Sequence, residues 1–74
     1  MNGFLELTKV SRDRGTAPLI IHVDNIGAIT RDNNTGITIV SERMFEGDKS
    51  RIQHYVSEDI RVVVDMLKSE TRVE

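Results

Sequence analysis

His22 and Asp24 stand two apart in LIIHVDNIGAI, residues 19–29. On an extended strand that spacing puts both side chains on one side. A carboxylate beside an imidazole can orient the ring and make it more basic, as in a general-base pair. Catalysis also needs a nucleophile or a cleft. The chain has no glycine-rich phosphate loop, nucleophile elbow or zinc-helix motif. The pair therefore reads as the less buried face of an amphipathic strand, with Asp24 turning the chain, and no catalytic residue is expected.

His54 alternates with Ile52 and Val56, so it reads as a hydrogen-bonded histidine in the core or at its rim. Were His22 and His54 close across strands, they could hold a metal, but two ligands make a weak site. No metal or cofactor is expected. Asp32-x-Asn34-x-Gly36 begins like a calcium loop, which wants glycine at position six and glutamate at position twelve. Ile37 and Arg43 stand there instead, so DNNTG reads as a hairpin turn.

RMFEGDKSR, residues 43–51, places Met44 and Phe45 among Arg43, Lys49 and Arg51. Apolar anchors rimmed by charge are the chemistry of a protein interface, and flexible methionine suits binding surfaces. These five residues are the candidate partner-binding site. The competing reading folds Met44 and Phe45 back as a lid over the sheet. Arg12, Arg14, Arg31, Arg43, Lys49 and Arg51 all sit in loops or at their edges. If Arg12, Arg14, Arg43 and Arg51 converge, they form an alternative site for a small anionic ligand such as a nucleotide. Solvated turns are the preferred explanation for them.

Strand-like patterns surround these residues. FLELTKV (4–10) reads as a first strand, and SRDRGTAP (11–18) as a loop broken by Gly15 and Pro18. Leu19, Ile21 and Val23 alternate with Ile20, His22 and Asp24. IGAITR (26–31) continues as a third strand or as the bent half of the second. GITIVSE follows the hairpin, and RIQHYV (51–56) is the last strand. Ser57 reads as a helix N-cap with Glu58 and Asp59 in the first turn. The helix EDIRVVVDMLKS offers Ile60, Val63, Val64 and Leu67 as a buried stripe, with Lys68 near its end. Residues 69–74 read as a fraying tail.

The expected fold is α+β: a small antiparallel β-sheet of four to five strands with one C-terminal α-helix packed on one face. One helix cannot hide both faces, and the other face would carry Ile20, Val40 and Phe4. That mismatch argues for a homo-oligomer.

Bulk properties narrow the function. With 74 residues the chain is a single domain, 1–74, and has a thin core. It has no cysteine, which excludes disulfides and fits the cytoplasm. The N-terminus lacks the basic and apolar regions of a signal peptide. No stretch approaches the roughly 18 apolar residues of a membrane span. A net charge of −2 and only Phe4, Phe45 and Tyr55 as aromatics argue against nucleic acid.

FLELTKV, LIIHVDNIGAI, GITIVSE and HYVSEDIRVVVDML, taken in order, resemble the FlbD-like family of small flagellar and swarming-motility proteins. Loops 11–18 and 43–50 are longer than the short turns of that pattern. The resemblance implies a small sheet with one helix, a role supporting the flagellar motor or its assembly, and no catalytic residues. The same pattern is similar to small phage proteins, which implies a phage-encoded inhibitor as another setting.

Overall fold

A computed structural model describes residues 3–71. The order is β1 (Phe4–Ser11), β2 (Gly15–His22), a 3-10 turn (Val23–Asn25), β3 (Ile26–Arg31), β4 (Thr38–Glu42), β5 (Gln53–Val56) and α1 (Ile60–Thr71). The strands form one antiparallel sheet in the order β2-β1-β5-β4-β3. The α+β architecture with a C-terminal helix against the sheet is as the sequence implies.

That order requires the sheet to coil. Its outermost strands, β2 and β3, are joined by only the three residues of the 3-10 turn. In a flat sheet, strands spaced ~4.8 Å apart would place β2 and β3 ~19 Å from each other. Three 3-10 residues rise only ~6 Å. The sheet therefore curls into a partly open barrel whose seam lies between β2 and β3.

The apolar alternation fills the concave side. Leu5, Leu7, Ile21, Val40, Val56 and Val63 form the buried cluster, with Leu19, Val23, Ile26, Ile29, Met66 and Leu67 packed against it. Val40 thus faces the helix, not the open face expected for it. Its neighbour Ile39, 9% exposed, lies on the outer face between Thr30 and Tyr55, so β4 is buried on both sides. The helix turns Val63, Met66 and Leu67 inward, whereas Ile60 and Val64 border a surface recess with Arg61, Asp65 and Lys68. The expected stripe is rotated, with Met66 replacing Ile60 and Val64.

The expected loop over 11–18 shrinks to a turn at 12–14, because β2 starts at Gly15 and runs through Pro18. Proline is tolerated there for a specific reason. Pro18 pairs with Thr8, whose N–H donates to Glu58 and whose carbonyl accepts from the Ser57 N–H. Both Thr8 backbone groups point away from β2, so the pair exchanges no ladder bond. The missing amide hydrogen of Pro18 consequently falls on the free edge of β2.

At the helix start, Asp59 takes the capping role expected of Ser57. Its carboxylate accepts from the Arg61 N–H at 3.1 Å, and its carbonyl from the Val63 N–H. The Ser57 N–H is bound by Thr8, and the Glu58 carboxylate reaches back to β1. The helix runs on to Thr71, and 72–74 of the expected tail lie outside the described residues.

Candidate functional site

Loop 43–52 joins β4 to β5, and both of its ends are fastened. The Glu42 N–H donates to the Ile52 carbonyl at 2.8 Å, closing the base. The Arg43 N–H donates to the Asn25 carbonyl at 2.6 Å, tying the loop to the 3-10 turn. Gly27 lies in a β-bulge between Ile26 and Ala28, and a methyl group there would stand 3.0 Å from the Glu42 carbonyl oxygen. The absence of a side chain lets β3 approach the point where the loop departs.

The tip is fixed by reciprocal bonds. Phe45 donates its N–H to the Asp48 carboxylate at 2.8 Å, and its carbonyl accepts the Asp48 N–H at 3.0 Å. Gly47 supplies the φ of 94° that closes the turn. Phe45 is 64% exposed, Ile52 60% and Met44 38%. The lid reading of Met44 and Phe45 thus gives way to outward display. Ile52, which the sequence reading assigned to the last strand, joins them. Arg43, Lys49 and Arg51 are exposed around them.

Other cations are distributed differently. Arg12 borders a recess of about 410 Å³ with Val10, Asp32, Thr35, Ile37 and Tyr55. Arg14 borders a separate recess with Lys9, Ser11, Gly15, Thr16 and Ala17. Arg43 and Arg51 line neither. The 12–14 turn and loop 43–52 nonetheless leave the same end of neighbouring strands, because β1 and β5 are antiparallel partners. Arg31 lies 3.5 Å from Asp59.

The two histidines lie on opposite faces. His22 Nδ1 accepts the Asp24 backbone N–H at 3.1 Å, while the Asp24 carboxylate is farther, at 3.7 Å. The peptide group, more than the acid, holds the ring. His54 is directed to the helix side, opposite Val40, and its Nε2 lies 2.7 Å from Glu42 Oε2. Its Nδ1 is buried without a hydrogen-bond partner. Among the described residues, no group of three histidines or carboxylates could hold a metal ion, and no helix is long and apolar enough to cross a membrane.

The 32–37 connection is a tight polar turn. Asp32 accepts from the Gly36 and Asn34 N–H groups through its carbonyl and its carboxylate, and the Asp32 N–H donates to the Ile37 carbonyl. Its carbonyl and one carboxylate oxygen serve the turn itself, as the hairpin reading implies. Compared with known protein families, curated proteins and solved structures, the chain matches none.

Proposed function

We propose that the protein is a non-catalytic binding module that engages a protein partner through loop 43–52. One observation carries this reading: Phe45 is exposed while its own N–H and carbonyl are both clamped by Asp48. With its backbone fixed before contact, only the side chain of this anchor remains to be ordered on binding. Met44 and Ile52 extend the apolar centre, and Arg43, Lys49 and Arg51 give it a charged rim. A motility accessory or a phage-encoded inhibitor of a host protein would both act this way. The test is affinity capture from the producing host with wild-type and Phe45→Ala bait. A protein retained by the first and lost by the second, with unchanged circular dichroism, is the expected result. Equal capture by both would remove the loop from the contact.

The second reading is an oligomer that sequesters a small anionic ligand, such as a nucleotide signal. The shared position of the 12–14 turn and loop 43–52 at one end of β1 and β5 favours it. Native mass spectrometry of gently purified protein separates the two. Extra stoichiometric mass, lost in Arg51→Glu, supports the ligand; bare protein supports the module.

A further inference from the structure

Leu5, Leu7, Lys9 and Ser11 alternate along β1, so Lys9 and Ser11 continue the face that Leu5 and Leu7 bury. The residues opposite them are small: Ala17 pairs with Lys9, and Gly15 with Ser11. Small partners leave a recess of about 270 Å³ lined by Lys9, Ser11, Arg14, Gly15, Thr16 and Ala17. Two cations and two hydroxyls thus share one concavity. No carboxylate lines it, and Asp13, next to Arg14 in the turn, is not among its walls. Among the described residues, neither Lys9 nor Arg14 is engaged in an ion pair. A second recess, of about 580 Å³, shares Thr16 and Ala17 with the first. Leu7, Pro18 and Met66 give it apolar walls, and its one acid is Glu6. A cationic hollow therefore lies beside a largely apolar one.

We propose that the paired recesses bind a small phosphate monoester, with its phosphate between Lys9 and Arg14 and its organic body against Ala17, Pro18 and Met66. A phosphate monoester brings nearly two negative charges and three strong acceptor oxygens. Arg14 offers a planar fork of donors and Lys9 a point charge. The Ser11 and Thr16 hydroxyls add neutral donors. Like charges in one hollow repel, and a dianion between them turns that repulsion into attraction. An apolar ester also covers surface that bare phosphate leaves wet, and the flexible Met66 can adjust to its shape. Glu6 disfavours a second anionic group in the wider recess, so a single phosphate at one end of the ligand is the fit. The proposal rests on the second reading above, a small anionic ligand, and moves its contacts from Arg12, Arg43 and Arg51 to Lys9 and Arg14. Both cations are exposed, so salt screens them and the affinity is modest, on the order of 1 mM.

The test is heteronuclear NMR of the full chain, titrated with phenyl phosphate at constant ionic strength. Shifts should centre on residues 9–17 and on Met66. Inorganic phosphate should bind at least ~3-fold more weakly and leave Met66 unmoved. Lys9→Gln and Arg14→Gln, both at exposed positions, should each weaken phenyl phosphate at least ~5-fold with unchanged circular dichroism. Arg51→Gln, in the loop at the same end of the sheet, should bind like wild type. No shift up to ~20 mM phenyl phosphate overturns the proposal. So do shifts spread evenly over every basic loop, or an Arg51→Gln chain weakened as much as Arg14→Gln, since either means general charge attraction. Native protein whose extra mass is lost in Arg51→Glu and kept in Lys9→Gln would uphold the sequestering reading and overturn this site. Bare native protein that takes phenyl phosphate as described would remove the sequestering reading and leave this site standing.

Discussion

The Glu58 carboxylate holds Thr8 at two points, accepting the backbone N–H at 2.8 Å and the Oγ1 hydroxyl at 2.9 Å. β5 ends at Val56, so β1 loses its strand partner just before this position. A side chain from the approach to the helix takes over the bonding that another strand would have supplied. Glu58→Ala leaves a part-buried N–H without its acceptor. It should cost about 1–3 kcal/mol in chemical denaturation. Glu58→Gln, which keeps an acceptor, should cost less. Equal losses in the two variants would mean that packing, not hydrogen bonding, is the contribution of Glu58.

The Glu42–His54 pair should respond unequally to removal of either partner. Glu42→Leu strands an imidazole whose Nδ1 already lacks a partner, and about 1–3 kcal/mol should be lost. His54→Leu removes both ring nitrogens together and leaves only a part-exposed carboxylate. Its cost should stay within about 1 kcal/mol. A double-mutant cycle measures the coupling, and a larger loss for His54→Leu would contradict this account.

Gly27→Ala would press a methyl group against the Glu42 carbonyl and the Arg43 backbone, at 3.0 and 3.1 Å. Backbone cannot swing aside as a flexible side chain would. The expected cost is about 1–3 kcal/mol, with heteronuclear NMR shifts concentrated at the base of loop 43–52. Shifts confined to β3 would show that the bulge and the loop are not coupled.

Pro18→Val restores an N–H at the centre of the free edge of β2. Light scattering at high concentration should then report larger assemblies than wild type forms, with little change in melting temperature. Identical scattering from the two proteins would mean that something other than proline guards this edge.

On the helix, Val63→Ala should lose about 2 kcal/mol, since Val63 is fully buried. Val62→Ala, at a position 47% exposed, should be close to neutral. Comparable losses at both would mean that the helix is rotated from its described setting.

The strands were legible because Leu5 and Leu7, then Leu19 and Ile21, alternate in step with the pleat. The periodicity could not foretell the coil of the sheet. That coil arises from which strands pair, above all β1 with β5, and long-range pairing leaves no local mark. It is also why the pattern places Val40 on the wrong face: with β4 buried on both sides, alternation carries no contrast. Pro18 reads as a loop breaker in the sequence because its pairing with Thr8, and the demand of Glu58 on Thr8, are tertiary facts. Asp59 does not stand out as the cap because Ser57, two residues earlier, matches the same local preference. At the candidate site, composition pointed to Met44, Phe45 and their charged neighbours. The bonds from Phe45 to Asp48 that distinguish display from a folded lid depend on the shape of the turn around Gly47.

The union of the chain's two ends bears on how the protein comes into being. β1 is completed by β5, and the Gly3 N–H donates to the Glu70 carboxylate 67 residues away. A ribosome releases Phe4 long before Val56, so the first hairpin must wait with one flank and its leucines in water until the last segment emerges. Such distant pairing folds slowly, on the order of milliseconds to seconds. The interval before β5 closes on β1 is when this hairpin is most open to proteases and to its own neighbours.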